Sequence, residues 1–253
     1  MTLSDPTFDF GGRHVLVTGG TRGLGRTIAS AFARSGARVT VTGTQSLTSA
    51  YDASLSAFHY QRLELTDHDS IVNVAQQVGP LDVLVNAAGA RLPTSLDVHD
   101  REFVSQAIRL GLVGPSHLAN RLRYRLGEST MRGGGAIINT HSLKRWFEIS
   151  HGAAAAQTEM LGLTARLGAS WVRNGVRVNG VASTVAMPKQ APLRVEIDRH
   201  SGPLLTRPRP QQSGTLHDVA QAALFLASTG AAYITGQTLM VNGSGYGGAR
   251  RSH

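Results

Sequence analysis

The sequence has no cysteine, and only two of its 25 basic residues are lysines, Lys144 and Lys189; the other 23 are arginines. Tyrosine is nearly as scarce, with Tyr51, Tyr60, Tyr124, Tyr233 and Tyr246 making up the whole set. Absent thiols exclude disulfide frameworks, thiolate zinc sites and cysteine nucleophiles, and no other metal site is expected. No run of about 18 apolar residues occurs, so no membrane-spanning helix is expected. The stretch Met1 to Gly12 is polar and acidic rather than basic then apolar, unlike a secretory signal, which makes a cytoplasmic location the expectation. Acids are also few, 16 in all, leaving a formal net charge of +9. Such an excess invites nucleic acid, whose phosphates reward neutralisation. The arginines, however, are spread along the chain, and aromatic residues are only 6%. The densest run, Arg121-Leu122-Arg123-Tyr124-Arg125, lies in a helical-looking segment where a solvated face explains it. Neither a nucleic-acid nor a membrane partner is expected.

The 253 residues are 41% hydrophobic with 29 glycines, ordinary for a globular α/β protein and enough to bury a sizeable core. Short apolar runs alternate with helical periodicity. Strands are predicted at His14–Gly20, Ala37–Gly43, Phe58–Leu65, Leu81–Gly89, Gly135–Ser142, Val176–Ala182 and Gln237–Gly243. Helices are predicted at Leu24–Ser35, from an Asp67 cap to Val78, through Arg101–Leu126, at Ala153–Val172 and at Leu216–Ser228. Near-continuous apolar strands separated by helices indicate a parallel sheet buried on both faces. Right-handed crossovers then give a single doubly wound α/β domain of Rossmann type over residues 1–253. The stretch 184–213, rich in Pro, Gln and Arg, is too long for an ordinary connection and reads as a lid over the ligand crevice.

Between the first strand and first helix lies Thr18-Gly19-Gly20-Thr21-Arg22-Gly23-Leu24-Gly25. Glycines here permit a left-handed turn, let the backbone approach a pyrophosphate and let the helix pack on the strand. The phosphates would sit on amide groups at the start of that helix.

This spacing, Thr-Gly-x-x-x-Gly-x-Gly, resembles the short-chain dehydrogenase/reductase family. The resemblance extends to Asn86-Ala87-Ala88-Gly89 at the end of strand four, similar to the family's Asn-Asn-Ala-Gly beside the adenosine half of the cofactor. It continues through Arg177-Val178-Asn179, then Thr235-Gly236 and Val241-Asn242-Gly243. The resemblance implies a dinucleotide held by Thr18, Gly19, Thr21, Arg22, Gly23, Leu24, Gly25, Thr44, Asn86, Ala87, Ala88 and Gly89. Members that use NAD carry an acid after strand two for the ribose 2′-hydroxyl. Here that stretch is Gly43-Thr44-Gln45-Ser46, with no acid, while Arg22 matches the basic residue of NADP-preferring members. NADP(H) is therefore expected over NAD; a solvent-exposed loop arginine is the plainer account of Arg22 taken alone.

The family reduces carbonyls with a Ser, a Tyr-x-x-x-Lys pair and an Asn. The strand Ile137-Ile138-Asn139-Thr140-His141-Ser142 places Ser142 at the serine position. Counting back from Gly162-Leu163-Thr164 puts Ala153 at the tyrosine and Gln157 at the lysine, and Gly111 stands where the asparagine would be. No tyrosine lies between Tyr124 and Tyr233, and neither lysine stands four residues after a tyrosine, so the pair is absent from the sequence. The family's Pro-Gly after Arg-Val-Asn is Ser183-Thr184 here.

Substitute acid–base groups are sought near strand five. His151 precedes the helix that would start with the tyrosine and titrates in the useful range; a helix-entry or solvent role is its alternative. Lys144 could replace the missing cation, or be solvated like most loop lysines, and Glu148 stands nearby. His141 alternates with Ser142 and points to the other face. Arg91 borders the crevice and could bind a carboxylate or phosphate, which would make the substrate anionic. Lys144-Arg145-Trp146-Phe147 would line the same pocket, or its aromatics belong to the core.

Three readings follow. One is an enzyme of this family with Ser142, His151 and Lys144 in place of the usual set, acting on a small carbonyl compound of secondary-metabolite type, or turned to non-redox chemistry. Another is a redox-silent subunit paired with an active homologue. In relatives the helices spanning about 101–126 and 153–172 form dimer and tetramer interfaces, so a homodimer or homotetramer is expected and a paralogue partner is compatible. The third is a regulator that senses NADP(H).

Overall fold

A computed structural model describes residues 8–88, 101–142, 151–183 and 214–241 of the chain. Among these residues seven strands form one sheet: β1 (His14–Thr18), β2 (Arg38–Gly43), β3 (His59–Arg62), β4 (Val83–Asn86), β5 (Gly135–Ser142), β6 (Val176–Ser183) and β7 (Thr238–Val241). Their order is β3-β2-β1-β4-β5-β6-β7, and every neighbouring pair is parallel. The doubly wound α/β arrangement expected from the sequence is the one observed.

Among the described residues the α-helices are α1 (Gly23–Arg34), α2 (His68–Gln77), α3 (Arg101–Ile108), α4 (Gly114–Gly127), α5 (His151–Trp171) and α6 (Leu216–Ala227). Alternate residues of each strand feed opposite faces of the sheet. Val15 and Val17 join Ile28, Phe32, Val39, Val41, Val85 and Leu224 under α1 and α6. Leu16 joins Leu84, Leu118, Leu122, Ile137 and Val178 on the other face, under α2 and α4. A core on each face explains why the strands read as unbroken apolar runs rather than as alternating ones.

Local signals fix several ends. Asp67 caps α2, its carboxylate accepting from the Asp69 amide at 3.0 Å. At α6, Asp218 accepts from the Thr215 amide at 2.6 Å while Thr215 Oγ1 accepts from the Asp218 amide, a reciprocal capping box.

Three expectations are refined. β1 stops at Thr18 because Gly19 turns away with φ +64°. β4 stops at Asn86, where the next two amides turn to a side chain of β1. The long helix over 101–126 is interrupted by a π-turn at Arg109–Val113. Pro115 supplies the reason: it has no N–H for the carbonyl of Gly111, four residues back, and its ring crowds that carbonyl. The 184–213 stretch lies outside the described residues.

The strand order reverses direction between β1 and β4, and in open sheets of this kind ligands bind at that switch, beyond the carboxyl ends of the strands. The glycine turn and Asn86–Ala88 both stand there.

Candidate functional site

The turn after β1 is built by exclusion of side chains. A Cβ on Gly19 would stand 2.6 Å from Cα of Ala88, and φ +64° disfavours any other residue. Gly23 is also left-handed, at φ +53°. A Cβ on Gly25 would overlap the carbonyl oxygen of Gly19 and lie 2.9 Å from its carbonyl carbon, so α1 can pack on the turn only through a glycine. Thr21 is buried and Leu24 half-buried, while Arg22 is exposed at the N-cap in extended conformation.

The N-cap residue Arg22 makes no side-chain cap to the amides that open α1, and no acid stands in the first turn of that helix. Those donors and the positive end of the helix dipole are directed at the crevice, the arrangement that accepts an anion. The residues present therefore fit the pyrophosphate of a dinucleotide.

Thr18 ties this turn to β4. Its buried Oγ1 accepts from the amides of Ala87 and Ala88, both at 3.1 Å, and donates to the carbonyl of Val85 at 3.4 Å. Asn86 continues the polar seam: its Nδ2 donates to Asn139 Oδ1 at 2.9 Å, and Asn139 Nδ2 donates to Thr164 Oγ1 at 2.9 Å. Thr140 Oγ1 donates to the Asn86 carbonyl at 3.1 Å. The seam sews β1, β4, β5 and α5 together directly below the crevice, so Thr18 and Asn86 serve as supports. Asn139 and Thr164 are support residues that sequence reasoning misses; a buried Asn inside an apolar strand run is the signal that marks Asn139.

After β2 the chain runs through Gly43 and exposed Thr44. A hydrogen-bond cluster that the sequence does not announce surrounds this turn. The amide of Gln45 donates to Tyr51 Oη at 3.0 Å, Tyr60 Oη donates to the Gln45 carbonyl, and the two phenol oxygens are 3.1 Å apart. Arg62 Nε donates to the Thr44 carbonyl at 3.1 Å. Burial and the contact with Tyr51 both raise the Tyr60 pKa, so this phenol stays protonated.

On the opposite side of the crevice, Ser142 closes β5, its backbone in register with Ser183 of β6, and His151 opens α5. Their side chains, together with Lys144 and Gly89, lie outside the described residues, as do Arg91 and the 145–148 segment. Gly111 sits inside the π-turn, and Ala153 and Gln157 stand in the first turns of α5. Thr18, Gly19, Thr21, Arg22, Gly23, Leu24, Gly25, Asn86, Ala87 and Ala88 thus gather at one end of β1 and β4, with Thr44 at the end of β2.

Comparison with known proteins identifies the family. The sequence model of the family described as enoyl-(acyl carrier protein) reductase matches residues 19–246. D-threitol dehydrogenase of Mycolicibacterium smegmatis is 32% identical over 251 residues, covering 93% of this chain and 94% of that protein. The 3-oxoacyl-(acyl-carrier-protein) reductase of Escherichia coli is 31% identical over 254 residues, covering 94% and 99%. A solved structure described as a short chain dehydrogenase/reductase family protein superposes with a TM-score of 0.75 at 30% identity, covering 94% of this chain and 99% of that one. With the family model matched over residues 19–246 and relatives above 30% identical over nearly their full length, the chain belongs to the short-chain dehydrogenase/reductase family of oxidoreductases.

Proposed function

We propose that this is a cytoplasmic, homo-oligomeric member that binds NADP(H) and acts on a small carbonyl compound without the Tyr/Lys acid–base pair. The observation that carries the cofactor half is the opening of α1: a helix N-terminus with Arg22, rather than an acid or hydroxyl residue, at its N-cap, beside a β2 turn that has no acid. A carboxylate after β2 would hold a ribose 2′-hydroxyl and repel a 2′-phosphate; a cation favours the phosphate. Bound NADPH would supply a hydride.

The remaining work falls to this chain. Ser142 would donate to the substrate oxygen, His151 or a water would deliver the proton, and Lys144 would provide the cation; Arg91 would orient an anionic substrate. The support is position: β5 and α5 are the elements that carry the family's serine and Tyr/Lys pair, and positions 153 and 157 hold Ala and Gln. Titration with NADPH and NADH by calorimetry tests the cofactor half. NADPH binding at least about tenfold tighter than NADH, a difference of about 1.4 kcal/mol, is expected. Binding of neither nucleotide would overturn it. Single-turnover oxidation of bound NADPH by a panel of small ketones tests the rest.

A second reading, a redox-silent subunit, is favoured by the missing pair and by Val113, Tyr124 and Val172, which are 52%, 69% and 53% exposed where the helices of relatives meet their partners. A stable homotetramer that exchanges no subunit with an active paralogue would count against it.

A further inference from the structure

Position 43 is closed by a phenol. A Cβ on Gly43 would overlap Tyr51 Oη and lie 2.8 Å from Cγ2 of Thr21, so no side chain fits there while Tyr51 stays in place. Tyr51 in turn is held by its hydrogen bonds, and their direction can be assigned. The Gln45 carbonyl can only accept, so the single proton of Tyr60 goes to it. The 3.1 Å contact between the phenols must then use the proton of Tyr51, with Tyr60 Oη accepting. The Gln45 amide donates to Tyr51 Oη and completes a closed ring: amide to Tyr51, Tyr51 to Tyr60, Tyr60 to carbonyl.

In such a ring each bond polarises the next. It satisfies both backbone groups of an exposed residue, Gln45, from two side chains packed edge to face with centroids 5.8 Å apart. The β2–β3 register aligns Val41 with Tyr60 and Gly43 with Arg62, which lets Arg62 fasten the Thr44 carbonyl as well. The turn from 43 to 45 is thereby held in one conformation without using any side chain of its own.

We infer that Tyr51 and Tyr60 are positioning residues for dinucleotide choice: they fix the 43–45 turn and exclude a carboxylate at position 43. The inference rests on the NADP(H) reading above and names what enforces it. Its consequence is that the selection cannot be reversed by a single acid at 43, because the acid and Tyr51 compete for the same space.

Calorimetric titration of NADPH and NADH, with melting temperatures, on wild type, Y51F, G43D and G43D/Y51A is the test. Y51F, which removes both hydrogen bonds of the Tyr51 hydroxyl, is expected to weaken NADPH about tenfold while moving NADH less than about twofold. G43D is expected to melt lower than wild type; G43D/Y51A is expected to melt above G43D and to prefer NADH. A wild type that prefers NADPH with an unchanged NADPH-to-NADH ratio in Y51F overturns this inference alone. So does a G43D that melts like wild type and switches preference without Y51A. A wild type that binds neither nucleotide overturns the cofactor reading and this inference with it.

Discussion

The guanidinium of Arg177, near the start of β6, donates to the carbonyl of Leu226 near the end of α6 at 2.7 Å, wholly inside the protein. The same group reaches the carbonyls of Ala227 and Ala231, each at 3.1 Å, and of Ser228 at 3.5 Å. The carbonyls of Leu226 and Ala227 are ones the end of α6 leaves without helical partners, those of Ser228 and Ala231 also accept from the amides of Ala231 and Ile234, and a cation there meets the negative end of the helix dipole. No carboxylate among the described residues pairs with Arg177, and burial lowers its pKa without neutralising a guanidinium. Its role is therefore to cap α6 from the sheet.

R177A should cost about 3–5 kcal/mol, through stranded carbonyls and a buried cavity together. R177K should fall between, since one ammonium cannot fork to four acceptors. Urea unfolding, read as a fall in midpoint at constant m-value, measures both.

A second buried base sets a pH dependence far from the crevice. His14 Nδ1 lies 2.7 Å from the Pro80 carbonyl, which only accepts, so Nδ1 carries the proton; Nε2 is 2.8 Å from Thr40 Oγ1, a hydroxyl that can donate to it when the ring is neutral. Desolvation chiefly, with Arg38 and His59 adding, lowers its pKa and so favours the neutral ring. The unfolded chain takes up a proton near pH 6.5 where the folded chain does not, so stability falls as pH drops through 6.5 and keeps falling to the folded pKa. Unfolding free energies at pH 7.5, 6.5 and 5.5 should show this loss, and H14Q should flatten it. Asp218, held low chiefly by the Thr215 amide, acts in a separate window, losing its contribution only below its ordinary 3.8.

How much of this can be read from residues alone differs by element. His14–Thr18 and Gly135–Ser142 are legible because buried parallel strands leave an apolar run no other element explains. The glycine turn is legible because Gly19 and Gly25 meet neighbouring backbone, a constraint only glycine relieves. The π-turn is not, since helical periodicity continues across Arg109–Val113 and only the loss of a donor at Pro115 breaks it. The Tyr51–Tyr60 ring is hidden for a different reason. Its members come from a loop and a strand, and only the β2–β3 register brings them to Gln45. Arg177 is visible as part of a motif, but its partners lie on a helix end that no spacing predicts.

The glycines should separate into two classes by substitution. G19A places a side chain at φ +64° against Ala88, and G25A drives one into the Gly19 carbonyl. Each should cost about 2–4 kcal/mol from strain and overlap, and remove nucleotide binding. A Cβ on Gly79 would meet nothing within 4 Å, so G79A should leave both melting temperature and binding unchanged. Thermal melts with and without NADPH distinguish the classes.

Restoring the pair that the sequence lacks tests the chemistry directly. Ala153 and Gln157 are one helical turn apart near the start of α5, so A153Y/Q157K would place a phenol and an ammonium on one face, as a Tyr-x-x-x-Lys pair requires. A phenol with pKa near 10 is a weak acid–base group until a cation lowers it, so neither substitution should suffice alone. The double variant should raise NADPH-dependent reduction of a small ketone by about 100-fold, the lower range for a positioned proton donor, with each single variant near wild type. Steady-state rates from pH 6 to 9 provide the check. A gain that follows the ionisation of a lowered phenol identifies the new pair as the source. A double variant with no gain would place the barrier elsewhere on the nicotinamide side, at Gly111 or Ser183, where the family's asparagine and proline are also replaced.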